Sequence, residues 1–320
     1  MSKKSTCLNK YAIIIDMETP ITQTEAWKKL QDDLNETSFY ETGNDYHFLA
    51  ILKKTPVGNY LYLPYGPVAK TNQAFKSALK SIETLAKSHN AIFIRIEPQN
   101  PDFIKSLPKN TKKSKDLNPK ETWVINLKGS KDDLKAKLPS RLLRYYKNAV
   151  KNGLTIETSK DPNDIKHLLN LQQALAKEKG IGTFSEHYLK TQLKQPFATL
   201  YLLKQGSDIV AAGLVFDDQT TRYNLQGAQS EEGRKLHATG ILTIELINDA
   251  KAKNLEAFDF WGIAPEGAPK NHPWAGFTGF KKTFHGTEKH YAGTYDLVLN
   301  PAKYKLYTLT RKINRLRRQH

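Results

Sequence analysis

An order of elements that occurs twice constrains this chain more than any single motif. Tyr46 to Lys53 (YHFLAILK) and Asn59 to Leu63 (NYLYL) are β-rich runs on either side of the turn Thr55-Pro56-Val57-Gly58, which reads as a hairpin. A helical pattern over Asn72–Ser88 and a buried-looking strand, Ala91–Glu97, follow. Later, Thr199–Lys204, Asp208–Phe216 and Thr221–Gln226 read as strands, Leu236–Lys253 as a helix and Glu256–Trp261 as a strand. Helices precede each set: Thr24–Leu34 before the first, Asp164–Lys179 and Ser185–Leu193 before the second. The repetition predicts an α/β (α+β) protein built from two copies of one mixed module, each sheet flanked by helices.

The length of 320 residues suits two such modules. We place the first at residues 1–130, closed by the strand Glu121–Leu127 after a Lys-, Pro- and Asn-rich loop over Pro98–Lys120. The second spans 131–295, and the segment 296–320 is expected to return and pack on the first. The longest apolar run, Ile209–Phe216, falls short of the roughly 18 residues a membrane span needs, and the early run Tyr11–Ile15 is too short for a secretion signal. The expectation is a cytoplasmic, soluble protein. A single cysteine, Cys7, forms no internal disulfide and has no Cys or His cluster beside it, so no metal site is predicted.

The net charge of +17 is concentrated. Lys105 to Lys151 holds fourteen basic residues against four acids, and 301–320 holds seven against none. The remainder is neutral, so the excess marks surfaces that meet phosphates or an anionic membrane face. Within the first stretch, Arg141, Arg144, Lys147 and Lys151 interleave with Leu142, Leu143, Tyr145 and Tyr146, giving a basic amphipathic helix, or two helices kinked at Pro139.

The order of elements is the one used by the GNAT acyltransferase fold. An acetyl-CoA enzyme of that fold carries a Gly-rich loop, R/Q-x-x-G-x-G/A, whose backbone N–H groups bind a pyrophosphate. Here the stretch reads Arg234-Lys235-Leu236-His237-Ala238-Thr239-Gly240, with His237 at the first glycine. A side chain there obstructs close approach to the backbone, which argues against acetyl-CoA as cofactor.

A second ordered set is more specific. Tyr223-Asn224-Leu225-Gln226-Gly227-Ala228, Phe258-Asp259-Phe260-Trp261-Gly262, Gly279-Phe280-Lys281-Lys282-Thr283-Phe284-His285-Gly286 and Tyr291-Ala292-Gly293 occur in sequence. This set resembles the Fem (FemABX) family, as does Tyr65-Gly66-Pro67 and the strand Glu121–Leu127 followed by the basic helix ending in Lys151-Asn152-Gly153. The resemblance covers roughly Trp27 to Tyr307. It implies two GNAT-like domains and an aminoacyltransferase that moves an amino acid from aminoacyl-tRNA to the stem-peptide amine of a muramyl-pentapeptide precursor, UDP-linked or lipid-linked. It also implies a precursor site in the cleft between the domains and no cofactor or metal.

The resemblance implies roles for particular residues. Lys281 matches the family's lysine near the transferring centre, where a fixed cation offsets charge building on the ester carbonyl and the leaving ribose oxygen. Asp259 either orients or deprotonates the attacking amine, or serves as a structural hydrogen-bonding carboxylate. Tyr188 and Tyr223 match tyrosines lining the precursor site, and Trp261 and Phe280 are placed with them. Lys28 and Lys29, which the sequence cannot separate, are candidates for the precursor diphosphate. The expected partner arginine before Tyr188 is missing, leaving His187, Arg222 or Arg144 as substitutes. Arg141, Arg144, Lys147 and Lys151 form a candidate tRNA surface. The run Tyr304–Arg318 either lies on an anionic membrane or touches tRNA. The alternatives in function are an acyltransferase of this fold acting on a protein or lipid acceptor, and a non-catalytic RNA-binding protein.

Overall fold

The computed structural model describes residues 19–179, 182–272 and 274–317, so Cys7 and the run Tyr11–Ile15 lie outside it. Two units emerge: residues 1–118 with 291–320, and residues 119–290.

In the first unit, helix α1 (Glu25–Asp33) starts at Thr24, whose hydroxyl accepts the Trp27 N–H at 3.2 Å. Strands β1 (Thr37–Gly43), β2 (Tyr46–Lys53), β3 (Asn59–Leu63) and β4 (Val68–Ala69) lead to α2 (Asn72–Ser88), followed by β5 (Ala91–Ile96) and β6 (Thr111–Lys113). After the second unit the chain returns for Tyr295–Val298 and Pro301–Arg317, β14 and α10 in chain order. The sheet runs β1-β2-β3-β5-β14-β6, with β4 also on β2. β3 and β5 are parallel because α2 carries the chain back across the sheet. Phe75, Ala78 and Ile82 of α2 seal one face against Phe48, Leu61 and Ile94, all fully buried. Each such Phe, Leu or Ile contributes about 1.5–3 kcal/mol of burial. α10 covers part of the sheet through Tyr304 and Tyr307 on Phe93. It is tied down by a buried pair: Arg95 donates twice to Asp296 at 2.7 Å, and Tyr304 donates to the same carboxylate at 2.9 Å.

The second unit comprises β7 (Glu121–Asn126), α3 (Lys131–Lys137), α4 (Ser140–Asn148), β8 (Leu154–Ser159), α5 (Ile165–Lys179) and α6 (Glu186–Leu193). Then come β9 (Ala198–Gln205), β10 (Asp208–Asp217), β11 (Thr221–Gln229), α7 (Glu231–Lys235), α8 (Ala238–Ala252), β12 (Ala257–Gly262), α9 (Ala275–Lys282) and β13 (Thr287–His290). Its sheet runs β13-β7-β12-β11-β10-β9-β8, and α8 makes β11 and β12 parallel as α2 does for β3 and β5. The molecule is therefore mixed α/β with two sheets flanked by helices, as the repeated order implies.

Several boundaries differ from the sequence expectation. β7, expected to close the first module, pairs with β12 and β13 in the second sheet, and that sheet's unit begins at residue 119 and ends at 290. A β-rich run carries no signal for partners lying between 131 and 169 residues further along. Pro139 does break the basic segment, giving α3 and α4. The expected helix Leu236–Lys253 is α8, which starts two residues later because His237, with φ 57°, is its N-cap and separates it from the short α7. Polar edge strands β1 and β8, and the helix α9, were not visible as elements because none carries a clean apolar period.

Candidate active site

The site forms where β11 and β12 part company. Thr221, Arg222 and Tyr223 pair in parallel with Ala257, Phe258 and Asp259, and the ladder goes no further. β12 bends at this point: Trp261 is left-handed, φ 62°, and the register with β7 shifts between Asp259 and Gly262. The turn is held by Asp259, whose carboxylate accepts the Trp261 N–H at 2.7 Å and the Thr122 hydroxyl at 3.3 Å. Asp259 is buried, and the loss of hydration pushes its carboxyl up to about 6. The Trp261 N–H, Lys289 and Lys281 oppose that shift without cancelling it.

Lys281 sits in the last turn of α9, and its ammonium donates to the Gly262 carbonyl at 2.6 Å. Burial lowers its pKa to about 8 against the opposing charge of Asp259. The flanking motif fixes it. Phe284 is fully buried, in ring contact with Phe260 and Phe280 at 5.1 and 5.4 Å. Gly286 lies where a Cβ would come within 2.5 Å of the Val124 carbonyl oxygen, so the F-K-x-x-F-x-G segment needs its glycine to pass β7.

Lys281 and Phe280 line a cavity of about 530 Å³ in this unit. Its walls come from β11 (Asn224, Gly227, Gln229), the start of α8 (His237, Thr239) and the apolar side chains Leu142, Leu175, Phe260 and Phe277. A partly desolvated ammonium on an apolar wall, beside a carboxylate of raised pKa, is an arrangement suited to stabilising developing negative charge.

α4 borders the cavity through Leu142, which packs against Gly240 so closely that a Cβ there would lie 2.6 Å from it. Tyr145 stacks on His237 with ring centroids 4.1 Å apart. Arg141 donates to the Tyr145 hydroxyl at 3.0 Å, and the Arg141 and Arg144 guanidiniums lie 5.6 and 5.7 Å from its ring centroid. The hydrogen bond from Arg141 lowers the Tyr145 pKa. Lys147 and Lys151 are exposed on the same stretch. The imidazole of His237 thus fills the turn where a pyrophosphate loop would present bare backbone, and Gln229 caps α8 in its place by accepting the Thr239 N–H at 3.1 Å.

Other expected residues lie elsewhere. Tyr223 and Trp261 meet edge to face at 5.9 Å beside Asp259, and the Tyr223 hydroxyl donates to Asp218 at 2.8 Å. Tyr188 belongs to α6 and stacks on Phe184; burial raises its pKa. Lys28 and Lys29 are in the first unit, on α1, in i,i+4 ion pairs with Asp32 and Asp33. Arg222 is unsuited to a diphosphate: it is 0% exposed and bound to Asp217, Asp249 and the Leu246 carbonyl. Sequence reading missed Gln229, Thr239 and Arg234 with His237 as one wall, and Tyr145 as the ring stacked on His237. The available signal was His237 at a glycine position, which pointed to a filled turn but not to its stacking partner.

Among the described residues, Glu121, Glu288 and His290 bring potential metal-ligating atoms within 4.8 Å of one another. Two ammonium groups already face those carboxylates, Lys120 at 3.6 Å from Glu121 and Lys282 at 3.0 Å from Glu288, so the cluster is charge-compensated without an ion.

A sequence model of the FemAB family matches residues 191–312, which include the Asp259 and Lys281 segments. No curated protein matches the sequence. Among solved structures, one described as FemX shares the fold with a TM-score of 0.78 at 18% identity, over 91% of this chain and 95% of that one. The C-terminal domain of a putative lysylphosphatidylglycerol synthetase from Agrobacterium fabrum aligns with a TM-score of 0.60 at 14% identity, over 90% and 92%. L-PGS from Bacillus licheniformis aligns at 0.58 and 15% identity, over 91% and 96%. The family match is confined to residues 191–312, and the structural matches show that the chain shares the fold of these proteins.

Proposed function

We propose that the protein transfers an amino acid from aminoacyl-tRNA to the stem-peptide amine of a muramyl-pentapeptide precursor. The observation that carries this reading is Lys281, an ammonium with its pKa lowered to about 8, set on the wall of a 530 Å³ cavity beside buried Asp259. The acceptor amine attacks the ester carbonyl, a C–N bond forms, and negative charge builds on the carbonyl oxygen. Lys281 offsets that charge where water is scarce. The ester C–O bond then breaks, and the proton lost by the amine passes to the leaving ribose oxygen. Asp259 orients the amine or relays its proton. Arg141, Arg144, Lys147 and Lys151 hold tRNA phosphates on the α4 side of the cavity, and Tyr188, Tyr223, Trp261 and Phe280 contact the precursor. Lys28 and Lys29 of the first unit are proposed for its diphosphate.

The test is deacylation of charged tRNA. The reading predicts rapid loss of the aminoacyl group only when a muramyl-pentapeptide is present; deacylation indifferent to that acceptor contradicts it.

A second reading draws on the fold shared with the lysylphosphatidylglycerol synthetase domain: the same ester chemistry with a lipid hydroxyl as acceptor. Phosphatidylglycerol in place of the muramyl-pentapeptide in the same assay separates the two.

A further inference from the structure

Helix α10 buries one face and exposes another of contrasting character. Tyr304 and Tyr307 pack inward on Phe93. At about 100° per residue, Leu306, Leu309 and Ile313 fall in one sector roughly opposite those tyrosines. They are 51%, 53% and 41% exposed, and make up three of the seven large hydrophobic side chains exposed among the described residues. Lys305 and Lys312 border this stripe on one side and Lys303 on the other, all three exposed. From residue 301 to 320 the chain has seven basic residues and no acid.

The geometry points to this face as an anchor on an anionic lipid surface. The helix would lie in the plane of the membrane, with Leu306, Leu309 and Ile313 in the acyl boundary and Lys303, Lys305 and Lys312 reaching up to the headgroup phosphates. No helix among the described residues is long and apolar enough to cross a membrane, so α10 lies on the surface and does not span it. Lipid suits the whole pattern better than RNA does. A polynucleotide satisfies the lysines and leaves the leucines in water, whereas a bilayer of acidic lipids takes both. The buried Arg95–Asp296 pair and its Tyr304 hydrogen bond fix the helix to the first sheet, so the exposed face is presented by a rigid support. This inference rests on the surface of α10 and stands apart from the acyl-transfer reading.

The experiment is co-sedimentation of the full chain with vesicles of phosphatidylglycerol and phosphatidylcholine, against vesicles of phosphatidylcholine alone. Two variants accompany it: Leu306→Asp with Leu309→Asp and Ile313→Asp, and Lys303→Glu with Lys305→Glu and Lys312→Glu. The wild type is expected to bind the acidic vesicles, less so at high salt, and each triple variant to bind at least about tenfold more weakly. All six side chains are exposed, so thermal midpoints should stay within a few degrees of wild type. Transfer to a soluble UDP-linked acceptor should also be unchanged, which separates failure of this proposal from failure of the proposed activity. No vesicle binding, or binding that survives the aspartate variant, overturns the proposal. So do loss of tRNA affinity in the aspartate variant, which would assign the face to RNA, and a concentration-dependent dimer abolished by it, which would assign the face to a second copy.

Discussion

Buried Asp259 and half-buried Lys281 carry charges of opposite sign whose mutual attraction is outweighed by desolvation on both sides. The carboxyl is pushed up to about 6 and the ammonium down to about 8 although each favours the other's charged form. The two lie 22 residues apart in sequence and are brought into electrostatic range by the bend of β12, where the Trp261 N–H holds Asp259 and the Gly262 carbonyl holds Lys281.

A pH dependence of activity follows. Carboxylate and ammonium coexist only between about 6 and about 8, and the two limbs belong to the interacting pair. The profile of kcat/KM should rise through the lower value and fall through the upper one. Asp259→Asn should abolish the acid limb; a wild-type profile flat from pH 5 to pH 9 would contradict the assignment.

The same groups set opposite trends in stability. Asp259 has a folded pKa above its ordinary 3.8, so its contribution is fully present below that value and is lost as pH rises through about 6. Lys281 has a folded pKa below its ordinary 10.5, so the cost of burying it is relieved as pH rises from about 8. Urea unfolding of wild type and Asp259→Asn between pH 4 and pH 7 should show a wild-type advantage on acidification that the variant lacks. Lys281→Met should erase the gain that wild type shows above pH 8.

Gly286→Ala tests the backbone approach beneath the lysine. Its Cβ would meet the Val124 oxygen at 2.5 Å and the Trp123 indole nitrogen at 2.8 Å, the latter already donating to the Phe284 carbonyl at 2.9 Å. The strand must shift, and the expected loss is about 1–3 kcal/mol in chemical denaturation. Gly276→Ala, on the cavity wall, has nothing within 4 Å of its Cβ and should be near neutral.

The α4 surface is tested by salt dependence. Replacing Arg141 and Arg144 with Gln should weaken tRNA binding and lower the slope of log affinity against log salt by about one per phosphate contact removed. An unchanged slope would return the helix to the role of a solvated face. Because Arg141 bonds Tyr145, and Tyr145 stacks on His237 at the cavity, the variant should also raise KM for charged tRNA.

The repeated order of elements was legible because hairpins and amphipathic helices write their periods locally: α2 spans Asn72–Ser88, as the pattern indicates. Pairing was not. β7 reads as a strand, yet nothing near it says that its partners are β12 and β13. The site divides the same way. Lys281 was legible through the F-K-x-x-F-x-G segment, whose phenylalanines and glycine have local packing reasons. The cavity wall formed by Leu142, His237 and Gln229 was not, since it depends on α4 crossing α8 at Gly240. Arg222, a substitute candidate for phosphate binding from sequence, proved sealed between Asp217 and Asp249 because strand register aims its side chain into the core.

The most direct measurement is mass spectrometry of UDP-linked and lipid-linked muramyl-pentapeptides after incubation with the protein and a mixed pool of charged tRNAs. Lys281→Ala serves as control. The account predicts a gain of one amino-acid residue mass on one precursor, with the rate reduced about 10²–10³-fold in the variant while tRNA binding is retained. An unchanged precursor mass with folded protein and verified tRNA charging would contradict it, as would an equal gain with Lys281→Ala.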